Sequence, residues 1–138
     1  MTVAEATAAY QTARAAFVRA AEDLRAAVEA EAAALLGGLP GDLQSLAEAV
    51  AAEWDVEIVD LLGRSKRREH AEPRIALLAL ARAACPHHTL ERLGQWFGRN
   101  HGTILHAQAA VRRLCDSAPV YRARVARVRA ALQIEPLT

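Results

Sequence analysis

Aromatic residues make up only 4% of this 138-residue chain, although 53% of it is hydrophobic. Much of that hydrophobic content is alanine, which favours helix but buries little area, so a core must rest on the leucines, valines, isoleucines and few aromatics. No apolar run is long enough to cross a bilayer. The start, MTVAEATAAYQTAR, carries an acid at Glu5 and lacks a basic stretch leading into an apolar core, so no secretory leader is expected. Cys85 and Cys115 match neither a metal nor a redox spacing and read as buried small hydrophobes in a reducing cytoplasm. His87 and His88 are adjacent, and His101 and His106 are five apart rather than the four that aligns two ligands on a helix, so no metal site and no cofactor are expected. No Cys–His or Ser–His–Asp arrangement is assembled by the spacing, so no catalytic residue is assigned and the chain is not expected to be an enzyme. No GxxxxGK[ST] stretch is present, so nucleotide binding is not expected. Sustained alternation at period two is missing as well, which excludes extended strands and leaves an all-α fold.

What the chain does have is charge divided by position. Residues 1–60 hold three basic residues against eleven acids, a balance of −8, while residues 61–138 hold fourteen against five, a balance of +9. The second part suits a polyanion and the first would repel one, unless the two halves simply attract each other.

Residues 3–36 read as one long helix. Val3, Tyr10, Phe17 and Leu24 recur at a heptad position, and Ala6, Ala13, Ala20, Ala27 and Ala34 follow three residues later, a seam broken at Glu31. This helix either packs on its own chain or pairs with a second copy or a partner protein. Gly37, Gly38, Pro40 and Gly41 then form a turn. Asp42 is expected to cap a helix over about 43–54 with Leu43, Leu46, Ala47, Val50 and Trp54 inward. A short element with Leu61 and Leu62 follows. Residues 63–74, GRSKRREHAEPR, read as a basic loop, with Pro73 in the first turn of a helix that runs to about Cys85. Thr89 caps a short helix broken by Gly98, and Asn100 caps another that runs to about Cys115, the layout of a helix-turn-helix. Pro119 opens a last helix carrying Arg122, Arg124, Arg127 and Arg129. The expected organisation is a long amphipathic helix at 1–38, a helix-turn-helix domain at 42–117 and a basic helix at 118–138.

Two motifs carry binding chemistry. Arg64, Lys66, Arg67, Arg68 and Arg74, with only Glu69 and Glu72 against them, give the positive density that neutralises phosphates or enters a narrow minor groove. GRNHGTILHA, residues 98–107, opens the second helix of the pair and sets Asn100, His101 and Thr103 in a first turn able to read bases or hold phosphates.

The same residues carry a family resemblance. Gly98-Arg99-Asn100-His101-Gly102-Thr103-Ile104-Leu105-His106-Ala107 resembles the GGRDHTTVLHA stretch of the C-terminal domain of DnaA, the bacterial replication initiator. Asp60-Leu61-Leu62, the basic residues from Arg64 to Arg68, and Pro73-Arg74 resemble the blocks upstream of it. His88-Thr89-Leu90-Glu91-Arg92-Leu93-Gly94-Gln95-Trp96-Phe97-Gly98 resembles the intervening HSLPEIGDAFG. The resemblance covers about 42–115 and implies an all-helical helix-turn-helix variant, preceded here by the long helix, that binds double-stranded DNA. It implies that Lys66 takes the place of a minor-groove arginine, that Arg74 contacts the DNA backbone, and that Asn100, His101, Gly102 and Thr103 replace a base-reading Asp-His-Thr-Thr. The expected DNA-binding set is Arg64, Lys66, Arg67, Arg68, Arg74, Thr89, Arg99, Asn100, His101, Gly102, Thr103 and His106, in a cytoplasmic, nucleoid-associated protein. The chain departs from the pattern in one glycine fewer before Arg99, one residue more near Pro86, and in Asn100, Gly102 and Lys66, which implies an altered or relaxed preference of sequence. The alternative is a helical protein–protein adaptor that has kept the fold without DNA binding.

Overall fold

The computed structural model describes residues 1–134, which form seven helices and no strand. α1 spans Val3–Gly37, α2 Gly41–Trp54, α3 Ile58–Leu62, α4 Arg68–Ala84, α5 Leu90–Phe97, α6 His101–Ser117 and α7 Pro119–Leu132. The expected all-α fold is what is found. α7 ends at Leu132, and residues 135–138 of the segment 118–138 lie outside the described residues.

α1 is set by local chemistry rather than by burial. Alanine supplies helix propensity, and a capping box closes its start: the Thr2 hydroxyl accepts from the Glu5 amide at 3.0 Å, and the Thr2 amide donates to the Glu5 carboxylate at 3.1 Å. No residue of α1 is buried. Only its last turns meet the body, through the half-buried Val28, Ala32 and Leu36 and an Arg25–Glu57 pair at 2.9 Å. Residues 3–27 are all exposed, and so are Tyr10, Phe17 and Leu24 of the seam. At 1.5 Å per residue this free part projects about 37 Å.

The other six helices share one core. α4 runs through its centre, with Ala76 to Ala81 buried without interruption and contacts to α2, α3, α5 and α6. Its alanines let neighbouring backbones approach while Leu77 and Leu80 fill the space between them. Leu43, Leu46 and Val50 of α2, Leu61 of α3, Leu93 of α5, Ile104 and Val111 of α6, and Val125 of α7 complete that core. α7 is tied into it as well: the buried Tyr121 donates its hydroxyl to the Glu72 carbonyl at 2.9 Å and lies 5.5 Å from the Trp54 ring.

Two boundaries differ from the sequence reading. Asp42 is not the cap of α2. Pro40 occupies that position in an extended conformation, its carbonyl accepting from the Gln44 amide at 2.9 Å, because the buried Leu39 anchors the chain there and starts the helix earlier. Asp42 falls in the first turn, where the helix dipole favours a carboxylate. α4 begins at Arg68, so the basic loop is 63–67 rather than 63–74, and Pro73 lies inside the helix. The segment between holds good helix formers joined by the Arg68–Glu72 pair at 2.7 Å, and burial of the Pro73 ring offsets the missing amide.

Candidate nucleic-acid interface

The turn between α5 and α6 is built from glycines at defined places. Thr89 caps α5, its hydroxyl accepting from the Arg92 amide at 3.1 Å. Gly98 ends the helix in the left-handed region at φ +63°, with the Gly98 amide on the Gln95 carbonyl at 3.3 Å and the Arg99 amide on the Gly94 carbonyl at 2.8 Å. This is a Schellman closure, and it needs no further glycine before Arg99. Gly94 is required by proximity, since a Cβ there would press on the Arg99 backbone.

Asn100 follows at once as the cap of α6. Its side-chain oxygen accepts from the Thr103 amide at 2.8 Å and from the Thr103 hydroxyl at 3.1 Å. The acceptor is therefore committed to the helix, while the Nδ2 donors bond to no group among the described residues. His101 and Gly102 are exposed beside it, and a Cβ on Gly102 would stand 3.2 Å from the Asn100 oxygen. His106 and Leu105 are exposed one turn along, and Ile104 and Ala107 point into the core. The first turn of α6 thus presents polar groups outward on a rigidly packed helix.

The basic loop is bolted to that turn. Arg64 donates from Nη2 to the Gly98 carbonyl at 2.8 Å, and Arg99 donates from Nη2 to the Gly63 carbonyl at 2.6 Å. The two arginines cross in opposite directions between segments more than thirty residues apart. Arg74 underpins the loop through the carbonyls of Leu61 at 2.8 Å, Ser65 at 2.6 Å and Asp60 at 2.6 Å. Ser65 Oγ meets His70 Nδ1 at 2.8 Å from the other side. Burial and then repulsion by Arg64 lower the pKa of Arg74, and burial followed by repulsion from Arg64 and Arg74 lowers that of Arg99. Guanidinium groups keep their charge under such shifts, so three cations are concentrated at the junction of loop and turn.

The predicted residues fall into distinct groups. Lys66 is exposed and makes no ion pair or hydrogen bond among the described residues, which leaves its ammonium available. Arg67 and Arg68 are exposed but paired, at 2.6 Å with Glu69 and 2.7 Å with Glu72. Arg74 and Arg99 are half-buried and engaged with backbone carbonyls. Thr89 stands at the start of α5, apart from the Asn100 cap in the chain but on the same helix pair. Sequence reasoning did not single out His70, whose ring bonds inside the loop, nor the contact of His87 and His88 with Asp42. Both rest on partners brought in by folding; only the density of histidine hinted at the second.

The sequence matches the family described as the bacterial DnaA protein helix-turn-helix over residues 43–111, half of the chain. The chain belongs to that family. The match contains the basic loop, α5, the turn and α6 as far as Val111, so the DNA-binding module of the DnaA helix-turn-helix family is the part whose geometry is given above. Family membership implies DNA as the partner. No helix among the described residues is long and apolar enough to cross a membrane.

Proposed function

We propose that the chain binds double-stranded DNA sequence-specifically, with the first turn of α6 in the major groove and the 63–67 loop on phosphates and the adjoining minor groove. The observation that supports this most is the reciprocal Arg64–Gly98 and Arg99–Gly63 bridging, which holds the basic loop beside the start of α6 at fixed distance. Lys66, Arg67 and Arg68 serve as the outward phosphate contacts, and Arg64, Arg74 and Arg99 add field from below. Asn100, His101, Thr103 and His106 face the bases. Because the Asn100 oxygen is spent on the cap, its free donors favour an acceptor edge such as guanine O6/N7 or thymine O4. These residues contain no nucleotide-binding loop, so they act by occupying DNA, as a regulator of replication or transcription or as a DNA-binding protein of a mobile element on the nucleoid. The free face of α1 joins two copies, which places two recognition helices on one duplex.

Fluorescence anisotropy with a duplex carrying a DnaA-type box and a scrambled duplex, across a salt series, tests this reading. Box-dependent binding is the expected result. The adaptor reading is favoured by one feature, the exposed Tyr10, Phe17 and Leu24 on α1, and absence of binding to both duplexes at low salt would establish it over the DNA reading.

A further inference from the structure

Away from the α6 surface, folding brings together three side chains of metal-ligating type. Asp42 lies in the first turn of α2, and His87 and His88 lie in the turn between α4 and α5, more than forty residues later. The Nε2 atoms of both histidines converge on one oxygen, Asp42 Oδ2, at 3.1 Å for His87 and 3.0 Å for His88. All three ligand atoms lie within 4.8 Å of one another.

We propose that Asp42, His87 and His88 form a binding site for one divalent ion of the zinc class. Zinc takes imidazole nitrogen and carboxylate oxygen at about 2.0–2.2 Å, so tetrahedral ligands stand about 3.3 Å apart. The observed 3.0 and 3.1 Å separations need to open by a few tenths of an ångström, and the two histidine nitrogens, within 4.8 Å of each other, to come to the same spacing. The site is also oriented from outside. The Leu43 amide donates to Asp42 Oδ1 at 2.9 Å, and His88 Nε2 spans the carboxylate, 3.2 Å from Oδ1 and 3.0 Å from Oδ2, so Oδ2 is the oxygen that both histidines share. The His88 ring stands edge-on to Trp96 with centroids 4.8 Å apart and packs on the His87 ring at 4.1 Å, so its direction is fixed by packing. Such outer contacts set ligand orientation in metal sites. The Cys85 thiol bonds to the Asp42 carboxylate but stands outside the converging trio, so water takes the fourth position. The His87 side chain is 65% exposed, which gives the ion a route from solvent. Entry requires both Nε2 atoms to be bare: each ring keeps one proton at Nδ1, and any further ring proton passes to water.

The ion would clamp the start of α2 to the turn that leads into the Thr89 cap of α5. None of its three ligands is assigned to DNA, so the proposal stands or falls separately from the DNA reading. The test is a titration of the untagged full chain with ZnCl2, followed by calorimetry and thermal melting, and with CoCl2, followed by visible absorption and Trp96 fluorescence. One equivalent should bind, the cobalt form should show the intense visible bands of a four-coordinate site with quenched tryptophan emission, and Tm should rise by about 10 °C or more at ~100-fold excess over Kd. His87→Ala removes an exposed ring and should abolish the Tm rise, while any loss of metal-free Tm from its contacts with Asp42 and His88 stays well below that rise. Asp42→Asn should weaken binding at least tenfold. No binding by the native chain, or equal binding by His87→Ala, would show the cluster to be an ion pair only and overturn the proposal.

Discussion

Replacing Gly94 by alanine probes the part of the fold that aims α6. A Cβ at this position would fall inside 3.0 Å of the Arg99 carbonyl oxygen, with the carbonyl carbons of Arg99 and Asn100 at 3.6 Å. All three are backbone atoms, so no side chain can swing aside. Relief requires the turn to open, which loosens the 2.8 Å bond from the Arg99 amide to the Gly94 carbonyl and shifts the Asn100 cap that follows. Overpacking of this kind costs about 1–3 kcal/mol, and a weakened hydrogen bond adds about 1 kcal/mol. The helix preference of alanine over glycine returns about 0.5–1 kcal/mol. The net loss is about 1–3 kcal/mol, or roughly 4–20 °C in Tm for a body of roughly 100 residues. Gly41→Ala is the control, since nothing lies within 4 Å of a Cβ there, and its effect should stay within about 0.5 kcal/mol. Thermal unfolding followed by tryptophan emission reads the stability, and duplex anisotropy reads the displacement of α6. A Gly94→Ala protein that melts with the native chain and binds DNA unchanged would refute the claim that this contact sets the turn.

The remaining predictions address the interface, the thiol and the free helix. Lys66→Ala with Arg67→Ala should weaken binding to every duplex and flatten the log K against log salt slope by about 0.9 per lost phosphate contact; an unchanged slope would remove the loop from the interface. His101→Ala should cost about 1–3 kcal/mol on the preferred duplex and little on scrambled DNA, as measured by competition anisotropy. Burial and the neighbouring Asp42 carboxylate push the Cys85 thiol up to about 11, so its alkylation at pH 8 should be slow in the folded chain, rise toward pH 11, and become fast at pH 8 once denaturant exposes it. Phe17→Glu should shift the chain to monomer in sedimentation velocity if α1 pairs two copies, with no change in the Tm of the body because the ring is 74% exposed.

Helix existence was legible because it rests on local signals. Thr89 and Asn100 cap where short polar side chains before apolar periodicity should cap, and Gly98 adopts the left-handed conformation that a helix stop requires. The misplaced boundaries have a common cause. Pro73 looks like a first-turn residue in isolation, yet ion pairing at Arg68–Glu72 and burial of its ring carry the helix back by five residues. Asp42 has the chemistry of a cap, but the burial of Leu39 decides where α2 starts. The basic loop was visible as composition, whereas its division of labour was not. Whether an arginine faces solvent or a backbone carbonyl depends on Gly63 and Gly98 meeting across the fold, and no spacing within 63–74 encodes that.

The charge division has a consequence that the fold makes definite. If the acidic first part merely neutralised the basic second part, arginine–carboxylate pairs should bridge them. Among the described residues one such pair does so, Arg127 with Glu53 at 2.6 Å. The Arg25 pairs with Glu29 and Glu57 stay within the first part, and those of Arg67 and Arg68 stay within the second. Arg64, Arg74 and Arg99 bond to neutral carbonyls, which satisfy their donors without cancelling their charge. A guanidinium held this way remains a fixed positive source in a partly desolvated setting, where its field reaches further than in bulk water. Arg64, Lys66 and Arg99 at the loop and turn therefore carry charge that no carboxylate pairs among the described residues, and a polyanion such as DNA is the kind of partner that compensates it. The acids of α1, on the exposed length of that helix, would by the same logic be held off the duplex, leaving its apolar stripe free to meet another protein surface.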